Sequence, residues 1–111
     1  MNYRIHITVK AEQDITEAAD YIEFHLLNPQ ASDDLLDAVD NEISGLSSMP
    51  QKHQLVDDPV LSLMGIRFIL VHNYIAFYII DESDRTVHIV RFLYQGRNWM
   101  KILKAEPIHF L

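Results

Sequence analysis

The residues with the most chemical potential sit in the last third of the chain: Arg67, Arg91, Tyr94, Arg97 and Trp99. Arg67 and Arg91 each fall inside a run of β-forming residues, and a guanidinium on a sheet face can hold a phosphate through two parallel N–H···O bonds. A tyrosine beside it can stack on a base or donate a proton. With Lys52 upstream, these residues make a nucleic-acid or other anionic target chemically feasible. Each also has a plainer role. Arg67 and Arg91 can pair with helix carboxylates, Tyr94 and Trp99 can pack in a core or at its rim, and Lys52 and His53 can be solvated loop residues.

Other chemistries are poorly supported. The chain has no cysteine, so disulfides, iron–sulfur clusters, thiolate zinc sites and cysteine nucleophiles are excluded. It carries no glycine-rich phosphate loop, no H-E-x-x-H and no G-x-S-x-G. Its six histidines show no ligand spacing on one element, so neither a metal nor another cofactor is expected. Charge is divided unevenly: residues 1–64 hold three basic and twelve acidic side chains, the remainder six basic and four acidic, for a net charge of −7. An anion-binding surface therefore belongs in the C-terminal part. The acidic helices read either as a solvated face or as a device that repels stray nucleic acid or meets a basic partner.

The elements that must position these groups follow from periodicity. Residues 3–9 alternate with period two and read as a strand. From Ala11 the spacing becomes helical, with Ile15, Ala18, Ala19, Ile22 and Leu26 on one face and Glu12, Asp14, Glu17, Asp20 and Glu23 on the other. Asn28-Pro29 supplies a cap and a first-turn proline for a second helix, whose stripe of Leu35, Leu36, Val39, Ile43 and Leu46 runs to Ser47-Ser48-Met49-Pro50. Residues 51–64 lack a period and read as a connecting loop. Three strands follow at 66–71, 74–80 and 86–94 as an antiparallel meander, and a short helix closes the chain after Asn98. The expected fold is α+β, a single domain over 1–111 in the order β-α-α-β-β-β-(α), with a two-helix hairpin packed on one face of an antiparallel sheet. That packing leaves the other sheet face free as a place for function. No apolar run is long enough for a membrane span and Met1-Asn2-Tyr3-Arg4-Ile5-His6 begins no signal peptide, so the expectation is a cytoplasmic protein.

In combination, several segments resemble the RelE/ParE superfamily of type II toxin–antitoxin toxins: Ala11-Glu12-Gln13-Asp14-Ile15, Tyr21-Ile22, the Asn28-Pro29 joint, Gly65-Ile66-Arg67, Asn73-Tyr74-Ile75-Ala76-Phe77-Tyr78, and Val90 through Trp99. The resemblance implies a toxin neutralised by a cognate antitoxin that wraps it, and it also allows a homodimer. In the ParE-like branch, which includes plasmid-stabilisation members and which the ending Gly96-Arg97-Asn98-Trp99 resembles more, growth is inhibited through DNA gyrase. In the RelE-like branch, messenger RNA is cleaved on the ribosome by attack of a ribose 2′-hydroxyl on the adjacent phosphate. A third alternative is a decayed toxin that only binds antitoxin. For cleavage, the resemblance implies Arg67 as stabiliser of the phosphorane and Tyr94 as orienting residue or acid, with Arg91 on a flanking phosphate and the base drawn from Lys52, His53 or Asp57. Arg91, Arg97, Trp99 and Lys52 are then the RNA- or target-binding residues. The net charge of −7 and Tyr94, where many relatives carry histidine, favour the ParE-like branch.

Overall fold

A computed structural model describes residues 2–105; position 1 and positions 106–111, the ends of the expected domain, lie outside the described residues. Strand β1 (Arg4–Ile7) ends at Thr8, whose side-chain oxygen accepts from the Ala11 amide at 3.2 Å and so caps α1 (Val9–Asp20). The Thr8 hydroxyl also donates to the Ile89 carbonyl at 2.8 Å, which fixes the entry of α1 against the sheet. Helix α1 continues into a π-helical turn, Tyr21–His25, and the chain reverses through Leu27 in a left-handed conformation (φ 53°). Asn28 then caps α2 (Pro29–Ser44), accepting from the Ala31 amide at 3.0 Å, with Pro29 in the first turn as the sequence predicts. Ser32 is buried between the helices, where its hydroxyl donates to the Ala19 carbonyl at 2.9 Å.

The sheet holds β2 (Arg67–Val71), β3 (Tyr74–Asp81) and β4 (Thr86–Tyr94) as the expected meander, in the order β1-β4-β3-β2. One pairing differs from a wholly antiparallel sheet: β1 runs parallel to β4, with Ile5 beside Val87 and His6 beside His88. Alternation reveals which side of a strand faces the core but not the direction of its neighbour. Between β3 and β4 the register shifts by one residue, since Tyr78 pairs with Ile89 but Phe77 pairs with Arg91, leaving Val90 as a bulge.

The helices bury Ala11, Ile15, Ala18, Leu35, Val39 and Ile43 against Ile69, Val71, Ala76, Tyr78, Val87, Ile89 and Phe92. The expectation of a free opposite face is corrected. A second core of Val56, Leu61, Ile66, Ile75, Phe77, Val90, Leu93 and Leu103 occupies that side. Residues 51–64 supply part of this cover instead of forming a plain connecting loop: a 3-10 turn, Pro50–Lys52, leads into them and they contain the short helix α3 (Pro59–Leu63), which Asp58 caps. The closing helix α4 (Trp99–Ala105) completes it, with Lys104 in a 2.7 Å ion pair with Asp58. Two apolar layers on one sheet give this small domain the burial it needs without crosslinks.

Candidate functional site

A groove of about 660 Å³ opens between the C-terminal half of α1 and the neighbouring ends of β3 and β4. Its walls include Tyr21 and Ile22 from the π-helical turn, Tyr74 and Phe92 from the sheet, and Tyr94 and Arg97 where β4 gives way to its following turn. Tyr74 stacks on Phe92 with ring centroids 5.0 Å apart, and Tyr94 meets Tyr74 edge-on at 5.7 Å. Burial, then the proximity of Tyr94 and of Tyr21, pushes the Tyr74 phenol above its ordinary pKa. Tyr74 is therefore neutral at physiological pH and can act as a hydrogen-bond donor.

The bulge at Val90 aims Tyr94 into this groove. Continued without it, the hairpin register would set Leu93 beside Tyr74 and turn Tyr94 to the opposite sheet face. Gly96 completes the arrangement, because a Cβ there would lie 2.4 Å from the Tyr94 ring. The turn is held by the Gln95 amide on the Asn73 carbonyl at 2.9 Å and by the Arg97 amide on the Tyr94 carbonyl at 3.0 Å.

Arg91 is not on this open surface. Its guanidinium is buried, with Nε 2.7 Å from Asp14 Oδ2 and Nη2 3.1 Å from Oδ1; the same Oδ2 accepts from the Phe92 amide at 3.0 Å. This is the helix-carboxylate pairing open to it from the sequence. Trp99 packs toward the second core, 5.2 Å from Phe77 between ring centroids.

Arg67 lies at a different place on the sheet. It pairs with Tyr78, four residues along β3 from Tyr74, the partner of Tyr94. From strand rise and spacing, the Arg67 and Tyr94 Cα atoms are roughly 16 Å apart. The Arg67 Nη1 donates to the carbonyls of His53 at 2.6 Å and Gln51 at 3.2 Å, turned toward the 3-10 segment, and the Tyr78 hydroxyl donates beside it to Pro50 at 2.7 Å. Lys52 is exposed and lines a separate hollow of about 440 Å³ with Glu42 and His53.

The structure thus joins Tyr94 and Arg97 in one groove, with Tyr21, Tyr74 and Asp14, which sequence reasoning did not assign to a site. It places Arg67 and Lys52 elsewhere and directs Arg91 and Trp99 inward. The missed signal was register: only the bulge sets Tyr74 opposite Tyr94. Among the described residues no group of three or more histidine, aspartate or glutamate side chains is placed to hold a metal ion. An apolar groove edged by phenols, carboxylates and one guanidinium is suited to gripping a segment of another protein.

Comparisons with known proteins agree with this architecture. The fold is similar to a solved chain of a chromosomal ParDE toxin–antitoxin system from P. aeruginosa, with a TM-score of 0.68 and 14% identity, covering 83% of this chain and 95% of that one. It is also similar to a chain of the RelBE2 toxin–antitoxin complex from Mycobacterium tuberculosis, with a TM-score of 0.59 and 22% identity over 85% of this chain and 99% of that one. A comparison with curated protein sequences gives no match. Residues 5–99 match the family described as ParE toxin of type II toxin-antitoxin system, parDE. With that match spanning most of its sequence, this chain belongs to the ParE toxin family of type II toxin–antitoxin systems.

Proposed function

We propose that this toxin arrests growth by binding DNA gyrase, a protein–protein mechanism, and is held inactive by its cognate antitoxin. The observation that carries this reading is the engagement of its strand arginines. Arg91 is tied to Asp14, and Arg67 is turned onto backbone carbonyls about 16 Å from Tyr94, by strand geometry. Stabilising a phosphorane requires preorganised charge converging on one phosphate. A net charge of −7 also works against attraction to ribosomal RNA. The groove beneath α1 offers an antitoxin segment an apolar seat with polar groups at its edge. Gyrase acts in the cytoplasm, and among the described residues no helix is long and apolar enough to cross a membrane.

Two parallel assays test the proposal. Purified toxin is added to gyrase, relaxed plasmid and ATP, and separately to ribosomes paused on a defined messenger. The expected result is loss of supercoiling with intact RNA, in the wild type and in Arg67→Ala alike. Cleavage in the A-site codon by the wild type and not by Arg67→Ala would establish the ribonuclease alternative. Folded protein inactive in both assays that still binds its antitoxin would identify a decayed toxin.

A further inference from the structure

The seam between β1 and β4 contains a close contact between two imidazoles. His6 and His88 stand side by side in the parallel register with Nδ1 atoms 2.8 Å apart and rings edge-to-face at a 5.0 Å centroid distance. Ile5, Val87 and Ile89 point into the helix-side core, so alternation places both imidazoles on the opposite sheet face. His88 is 9% exposed.

A 2.8 Å Nδ1···Nδ1 contact has a definite proton stoichiometry. When both rings are neutral, one donates its Nδ1–H to the lone pair of the other, so the two hold opposite tautomers. A first added proton can enter at Nε2 of the donor ring, which strengthens the bond by charging its donor. A second can be taken up only at the accepting Nδ1. Two N–H donors on two cations would then face each other, and the contact must open.

We propose that His6 and His88 form a proton-sensitive latch on the β1–β4 seam, closed with up to one added proton and opened by the second. Burial of His88 first, and the nearness of His6 second, hold its imidazole below the ordinary histidine pKa, consistent with reluctant protonation. Charged groups among the described residues act on it from neighbouring elements. Arg4 on β1 opposes protonation, while Asp81 on β3 and Asp84 in the following turn favour it. Arg4 is itself engaged by Asp84 at 2.9 Å, so releasing β1 also draws on that exposed ion pair. The latch bears on α1 as well, because Ile7 leads directly into the capping residue Thr8.

The reporters are two amides that bind across the seam, Arg4 N to the Arg85 carbonyl and Thr8 N to the Ile89 carbonyl. Hydrogen exchange of the full chain, corrected for intrinsic rates, would follow their opening from pH 7.5 to 5. Each additional proton bound by the open seam raises its population by up to about tenfold per pH unit. The wild type is expected to show a rise of that kind at Arg4 and Thr8, larger than at amides of the β2–β3 hairpin, and His6→Asn to flatten it. No rise in the wild type, or an equal rise in His6→Asn, would overturn the proposal. Nitrogen-15 NMR of the wild-type imidazoles gives a second reading without a variant. The second protonation should coincide with lost Arg4 and Thr8 protection, whereas double protonation with protection intact refutes the latch.

Discussion

Tyr94 stands opposite Tyr74 only because Val90 is an extra residue in β4. One bulged position moves the last third of the strand across the sheet, so an aromatic side chain that would otherwise join the second core instead lines the groove beneath α1. Gly96 protects this placement by leaving room for the ring.

Gly96→Ala should therefore act as a lever on Tyr94. A Cβ 2.4 Å from the ring forces Tyr94 outward, and because Tyr94 is 47% exposed the ring can yield. The expected stability loss is below about 1.5 kcal/mol, the scale of an off-rotamer side chain. Loss of nuclear Overhauser contacts between Tyr94 and Tyr74, together with weaker antitoxin binding by calorimetry, would check it.

The buried Asp14–Arg91 pair calls for a different outcome. With side chains only 5% and 10% exposed, removing Asp14 takes the carboxylate at 2.7 Å from the Arg91 guanidinium and leaves the Phe92 amide without its acceptor. Asp14→Leu should cost about 3–5 kcal/mol in urea unfolding. The double variant with Arg91→Leu should recover much of that loss, since it replaces the buried ion pair with two apolar side chains.

Tyr78 gives a spectroscopic signature. Burial, partly offset by Arg67, pushes its phenol up to about 12, so its contribution to stability is complete below pH 10 and disappears as pH rises through 12. Absorbance titration should resolve a tyrosine ionising near pH 12 that is absent in Tyr78→Phe. The same substitution removes the bond to the Pro50 carbonyl and should cost about 1–2 kcal/mol.

Acid should loosen the cover on the second face. The Lys104 hydrogen bond, followed by the Leu61 amide, holds the Asp58 carboxyl below its ordinary pKa. Its contribution is thus present above about pH 4 and lost as pH falls through the folded-state value. Tryptophan fluorescence from Trp99, which sits in α4, should change below pH 4 in the wild type. In Asp58→Asn the acid step should be reduced and α4 already less firmly docked at neutral pH.

Much of this architecture was legible because it is local. The stripes of α1 and α2, the Asn28-Pro29 joint and the meander all depend on residues within a few positions of each other. Asp58-Pro59 carries the same cap-and-proline signal as Asn28-Pro29, so α3 was also readable, though it is too short to display a period. The parallel docking of β1, the bulge at Val90 and the attachment of Arg91 to Asp14 were not readable. Each is a choice of partner between remote segments, and 77 positions separate Arg91 from Asp14. For the site, residue type singled out Tyr94 and Arg97, which the structure places along one groove, but it could not tell an arginine on a surface from one paired inside.

Parallel pairing of β1 with β4 also sets when the molecule can come into being during synthesis. His6 and His88 are 82 positions apart, and both the seat of α1 and the partner of Asp14 belong to β4. The helical hairpin therefore leaves the ribosome long before the surface that buries it, and nucleating contacts of such long range slow folding. An interrupted translation product that stops before β4 would carry the two helices and the β2–β3 hairpin but no groove. The groove beneath α1 exists only once the last strand arrives.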